Sequence, residues 1–202
     1  IRLYTEEGPG RLCMKFVPAS GAASRMFRSL LRFHTLDREI IIDDLRRRAE
    51  EGDGDAEDIL EFSSGLSKFA FYQDLAAAMS KEGLDMESLL KEGRLTQILH
   101  YLLTEAGLNY GNLPKGLLKF HAYPEGSRTA FEEHLVEAAS YVADEKGECH
   151  LHLTVSAGHL SRFEQLLEEV RDDYESRYRV KYRVTFSIQK KSTDTIAVDL
   201  EL

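Results

Sequence analysis

Leu12-Cys13-Met14-Lys15-Phe16-Val17-Pro18-Ala19-Ser20-Gly21-Ala22-Ala23-Ser24-Arg25-Met26 changes character twice along its length. The run from Leu12 to Val17 is short and apolar, as in a buried strand, and it stops at Pro18. Small residues fill Ala19 to Ser24, and beyond them Met26, Phe27, Leu30, Leu31 and Phe33 recur at helical spacing. Strand, small-residue loop and helix in that order open an α/β domain. Ser24 or Ser20 is expected to cap the free amides where the helix starts.

Outward from this stretch the pattern becomes almost wholly helical between about Leu36 and Gly111. Helices are expected over Arg38 to Glu51, Glu57 to Phe62, Leu66 to Met79, Met86 to Lys91 and Arg94 to Ala106, with glycines at 52, 54, 83, 93 and 107 as breaks. The acidic stretch Glu50 to Asp58 lacks glycine at the sixth position of a calcium loop, so it reads as a solvated linker. After Pro114 the strand signals return. Gly116 to His121 is expected as a strand, Tyr123 to Ser127 as a turn, and Thr129-x-x-Glu132 as a capping box opening a helix to about Ala143. Cys149 to Val155 alternates, with Leu151, Leu153 and Val155 on one face and His150, His152 and Thr154 on the other. Ser161 to Tyr178 is an amphipathic helix with Phe163, Leu166, Leu167 and Val170 inward. Val180, Tyr182, Val184, Phe186 and Ile188 then alternate with polar residues, which suits a sheet edge with one wet face. The organisation expected is an α/β core of residues 1–35 and 111–202, with a mainly parallel sheet, interrupted by a helical insertion over residues 36–110.

Composition narrows the function classes. The chain has 202 residues, 43% of them hydrophobic, which is enough for one α/β domain with a proper core. Lys and Arg number 26 against 35 for Asp and Glu, a formal charge of −9, which argues against binding nucleic acid or anionic lipid through bulk electrostatics. Cys13 and Cys149 sit in apolar runs without C-x-x-C spacing and read as buried free thiols of a reducing compartment. No apolar run is long enough to span a bilayer, so the expected location is cytoplasmic. The alternation of Ile196, Val198, Leu200 and Leu202 runs to the last residue, so the sequence reads as a piece of a longer chain, truncated at its C-terminus.

Parallel sheets bind ligands at the carboxyl ends of their strands, so the loop Ala19, Ser20, Gly21, Ala22, Ala23, Ser24 is the candidate site. Small residues let the backbone approach a ligand, a helix start presents free amides, and Arg25 adds a fork of donors for phosphate oxygens. The same residues also fit a tight strand-to-helix turn with no ligand. A P-loop is excluded because no Gly-Lys-Ser/Thr follows. His150 and His152 share a strand face but lack a third metal ligand at convincing spacing. His134 reads as a semi-buried helix residue, His159 as a cap or surface group, and Arg46, Arg47 and Arg48 as a solvated face balanced by acids.

Leu113-Pro114-Lys115-Gly116-Leu117-Leu118-Lys119-Phe120 adds a second motif. Together with Ser20-Gly21-Ala22-Ala23-Ser24-Arg25-Met26 it resembles the nucleotidyltransferases of GT-A, Rossmann-like fold, which activate sugar or alditol phosphates with a nucleoside triphosphate. Gln189 followed by Ser192-Thr193-Asp194-Thr195-Ile196-Ala197 resembles that family's base-reading segment. The same combination is still more similar to a bacterial family described only as a domain of unknown function, DUF4301-like. The resemblance covers the first strand and helix and everything from Gly111 onward, and leaves the helical region aside. It departs at Ala23, where a second glycine is usual, and in the long separation of Arg25 from Lys115.

What the resemblance implies is binding of a nucleoside triphosphate or nucleotide-sugar, and transfer of a nucleotidyl group to a phosphorylated small molecule with release of pyrophosphate. Arg25 and Lys115 would be the catalytic cations, and Ala19 to Ser24, Gln189 and Thr193 the nucleotide contacts. Mg²⁺ is the expected cofactor of an active enzyme, with its ligands expected beyond this chain; Asp194 and Asp199 are the acidic candidates within it, and both read as surface or turn residues. The alternative is a non-catalytic nucleotide-binding relative whose helical insertion binds a partner protein.

Overall fold

The computed structural model describes residues 12–36 and 38–190. The chain divides into two compact units, one of residues up to Gly21 together with those from Phe131 onward, the other Ala22–Ala130. In chain order, β1 (Met14–Pro18) is followed by six helices: α1 (Arg28–His34), α2 (Ile42–Glu50), α3 (Gly54–Gly65), α4 (Tyr72–Lys81), α5 (Met86–Lys91) and α6 (Thr96–Leu103). Then come β2 (Lys119–Tyr123), β3 (Gly126–Thr129), α7 (Ala130–Tyr141), β4 (Glu148–Val155), α8 (Leu160–Tyr178) and β5 (Lys181–Ile188).

The sheet unit is the α/β part. Its three strands run parallel in the order β1-β4-β5, as the alternating patterns imply. Cys149, Leu151, Leu153 and Val155 of β4 are fully buried, because their face of the sheet is covered by α7 and α8. Phe131 of α7 meets Phe163 of α8 edge-on with ring centroids 5.7 Å apart, and both rings lie against Phe186 of β5. Tyr182 satisfies its buried hydroxyl by donating to the Leu135 carbonyl at 2.9 Å. The other face carries Met14 and Phe16, His150, His152 and Thr154, and Arg183, Thr185 and Ser187 in register, and Phe16 is 63% exposed.

The helical unit has its own core. Phe27, Leu30 and Phe33 of the α1 region pack with Leu45, Ile59, Leu75, Met79 and the fully buried Ile98, Leu99 and Leu102 of α6. Asp53 caps α3 by accepting from the Asp55 and Ala56 amides, and Asp85 caps α5 through the Glu87 amide. The acidic stretch expected to be a linker is therefore structural. Asp53 also pairs with Arg48, while Ser29 donates to Asp55 at 2.8 Å and to Asp58 at 2.6 Å.

Other local expectations change in the same way. The helix expected from Arg38 begins at Ile42, because the β-branched residues Ile40 and Ile41 are extended and pair with Arg94 and Leu95. The single helix expected from Leu66 breaks at Phe69–Phe71, whose rings stack at 5.0 Å between Phe62 and Tyr110. Gly116 to His121 does not join the parallel sheet. A 3-10 turn, Lys115–Leu117, leads into β2, which pairs antiparallel with β3 in a separate two-stranded sheet of the helical unit. Leu118 enters the helical core, and Lys119 binds Asp74 at 2.6 Å, so tertiary partners and not the apolar run decide where this segment goes. The second of the segments that carry the GT-A likeness thus lies outside the parallel sheet. Among the described residues, no helix is long and apolar enough to cross a membrane.

Candidate functional site

At the carboxyl ends of the parallel strands, in the sheet unit, two of the sequence candidates meet. The Ala19 amide donates to the Thr154 carbonyl at 2.8 Å, continuing the β1–β4 ladder one residue past Pro18. The Gln189 amide does the same to Val155 at 2.9 Å, one residue past β5. These backbone bonds hold the Ser20 and Gln189 side chains side by side, and the Ser20 hydroxyl donates to Gln189 Oε1. Gly21 is exposed, and nothing stands within 4 Å of where a Cβ would lie. No packing contact requires glycine there. Thr193, Asp194 and Asp199 lie outside the described residues.

Ala22, Ala23, Ser24, Arg25 and Lys115 belong to the helical unit. Ala22 forms an isolated antiparallel bridge with Pro114, and the Ala23 amide donates to the Leu113 carbonyl at 3.3 Å. The two motifs, distant in sequence, are therefore stitched together at their backbones. Ala23 is fully buried, and the Met26 amide turns back to its carbonyl at 2.8 Å. The chain then makes a further turn before α1 begins at Arg28. Its N-cap is Phe27, with no side-chain cap, so neither Ser24 nor Ser20 caps it as expected. A short helix starting three residues past Arg25 offers no free amides at that residue, and the exposed groups of the two motifs are the Arg25 and Lys115 side chains themselves.

Arg25 lines a cleft of about 670 Å³ between α1, α3 and the Leu66–Lys68 turn, together with Arg28, Lys68, Asp58, Glu61 and Phe69. Lys115 is exposed at the start of its own 3-10 turn and does not line that cleft. Arg28, Lys68 and Phe69 were not legible as site residues. Their only sequence signal is the aromatic spacing Phe62, Phe69, Phe71, which fits a buried core equally well.

The histidines resolve into local roles. Both ring nitrogens of His152 are engaged, Nδ1 with Thr185 Oγ1 at 2.8 Å and Nε2 with Ser187 Oγ at 2.9 Å, and its ring stacks on Phe16. His134 Nδ1 lies 3.0 Å from Glu137, whose carboxylate also receives Lys15. His159 sits at the N-cap of α8 without a side-chain cap bond. Partial burial, then the neighbouring His100 ring at 5.5 Å, holds His34 below the usual histidine pKa. Arg46 and Arg47 are solvated and pair with Asp43 and Asp44, whereas Arg48 is half-buried with its guanidinium 4.5 Å from the Phe33 ring centre. Among the described residues, no group of three His, Cys, Asp or Glu side chains is placed to hold a metal ion.

The model of one protein family, described as a domain of unknown function (DUF4301), matches residues 1–202. No curated protein and no solved structure matches the chain. The likeness to nucleotidyltransferases rests on the residues quoted above alone.

Proposed function

The chain belongs to the DUF4301 family, and we propose that it binds a nucleotide or nucleotide-sugar through phosphate contacts from Arg25 and Lys115. The observation that carries this reading is the Ala22–Pro114 bridge, which draws together the backbones of the two segments bearing those cations. Both side chains are exposed. Arg25 would offer its planar fork to two phosphate oxygens, and Lys115 a compact point charge.

The finer reading is nucleotidyl transfer. An oxygen of a substrate phosphate would attack the α-phosphorus of a nucleoside triphosphate, forming one P–O bond as the bond to the bridging oxygen breaks and pyrophosphate leaves. Arg25 and Lys115 would offset charge on the phosphates, and positioning would supply most of the acceleration. Mg²⁺ would further offset phosphate charge when bound, but the described residues do not fit a protein-held ion, having no group of three candidate ligands.

Isothermal titration of ATP, GTP, CTP and UTP with Mg²⁺ tests the binding. Arg25→Ala and Lys115→Ala are each expected to weaken it about tenfold, the scale of a charge-assisted hydrogen bond. Equal affinity in all three proteins ends the proposal. Pyrophosphate release on adding a sugar phosphate tests the transfer step separately.

A further inference from the structure

We propose that the cleft between α1, α3 and the Leu66–Lys68 turn receives the nucleoside end of the ligand, with its aromatic base stacked on Phe69 and its phosphate held by Arg25, Arg28 and Lys68. The inference rests on the reading that Arg25 faces phosphate, and assigns the rest of the ligand to the helical unit.

The cleft has the right chemistry in the right amounts. Its volume of about 670 Å³ lies within the usual range for small-molecule sites. Arg25, Arg28 and Lys68 are exposed at its wall, and none has an ion-pair partner among the described residues. In a chain of formal charge −9, a cleft lined by three cations against two carboxylates, Asp58 and Glu61, carries a positive excess that favours an anion.

Phe69 supplies a stacking platform. It is 42% exposed, while Phe62, tilted against it at 5.5 Å, and Phe71, stacked on it at 5.0 Å, are buried. The backbone holds it still, since its amide donates to Leu66 and its carbonyl accepts from Tyr72. A fixed ring with an open area is suited to a flat partner. Asp58 and Glu61 also line the cleft, and carboxylates there can accept from ribose hydroxyls. A purely apolar ligand would leave five charges unused. Inorganic phosphate alone would leave the ring and most of the volume empty. Gln189, the base reader expected from the sequence, already accepts the Ser20 hydroxyl.

The test is titration of ATP, GTP, CTP, UTP and inorganic tripolyphosphate into the wild-type chain and into Phe69→Leu, Phe69→Ala, Arg28→Ala and Lys68→Ala, each checked for folding by its thermal transition. Removing the ring is expected to weaken binding of at least one nucleotide about tenfold while leaving tripolyphosphate within about twofold, as for a lost base stack. Phe69→Leu keeps apolar volume, so it gives the answer if Phe69→Ala does not fold. Arg28→Ala and Lys68→Ala are expected to weaken nucleotide and tripolyphosphate together. Nucleotide binding that is unchanged in Phe69→Leu, Arg28→Ala and Lys68→Ala, yet lost in Arg25→Ala and Lys115→Ala, overturns the cleft and leaves the phosphate reading intact. Loss in the cleft variants with Lys115→Ala unaffected supports the cleft and overturns the Arg25–Lys115 pairing. A wild-type chain that binds no nucleotide ends both.

Discussion

Lys15 is a charged residue set deep into the sheet unit, pointing from β1 to the helix-covered face with 11% of its side chain exposed. Burial there lowers its pKa, but the Glu137 carboxylate and the Tyr141 hydroxyl outweigh that and hold the ammonium above the usual lysine range. For Glu137 the Lys15 hydrogen bond is the largest influence, and it holds the carboxyl below the ordinary glutamate value. Because the folded pKa lies under the unfolded one, Glu137 contributes stability that is complete above pH 4.5 and fades as pH falls through the lowered folded value. Glu137→Gln is therefore expected to reduce unfolding free energy at pH 7 by about 1 kcal/mol, given that half of the Glu137 side chain is exposed. Urea titrations of both proteins should converge as pH drops below 4.5, and a gap that stays constant into acid would remove the pair from the account. Side-chain pairings of this kind were not legible in the sequence. Lys15 and Glu137 stand 122 positions apart, and only the parallel register of β1 and β4 under α7 makes them neighbours.

At the scale of elements, the segment after α6 shows how a short helix is stopped. The Leu108, Tyr110 and Gly111 amides fold back onto the carbonyls of Tyr101, Leu102 and Leu103, satisfying the open end of the helix. Gly107 passes so close that a Cβ would lie 2.1 Å from the Tyr101 carbonyl oxygen. Gly107→Ala must displace backbone, and a loss of about 1–3 kcal/mol, read as a lower thermal midpoint, is expected. An unchanged midpoint would contradict the tight return. Glycine here was legible as a break but not as a steric requirement. Legibility followed periodicity: β4, α8 and β5 carry long, strict patterns, and each lies within two residues of where those patterns place it. The hairpin of β2 and β3, the capping Asp53 and the Phe69–Phe71 break were not foreseeable, because each is decided by partners remote in sequence. The same holds for the candidate site. Arg25 and Lys115 stood out by residue type, whereas the cleft beside Arg25 exists only once α1 and α3 are packed.

At the scale of the whole molecule, the helical unit is one continuous segment and the sheet unit is not. Cys149 offers a probe of the latter, since it is fully buried in the central strand and burial pushes its thiol up to about 11. Cys13 is only partly covered. Iodoacetamide at pH 8 is expected to modify Cys13 readily and Cys149 only through opening of the sheet unit. Phe163→Ala, which deletes about 3–5 kcal/mol of packing on the same face, should speed Cys149 labelling by an order of magnitude or more. Peptide mass spectrometry would register the outcome, and equal rates at both cysteines in the wild-type chain would refute a closed sheet.

The pairing of β1 with β4, and not with any strand adjacent in sequence, also governs how the protein is made. On the ribosome β1 is made before the whole helical unit, yet its hydrogen-bonding partner does not exist until β4 has been translated. At about 5–20 residues per second, the nascent strand waits for roughly 7 to 27 seconds with Met14, Phe16 and Val17 uncommitted. During that interval the helical segment can complete its own core, so biogenesis proceeds from the middle outward.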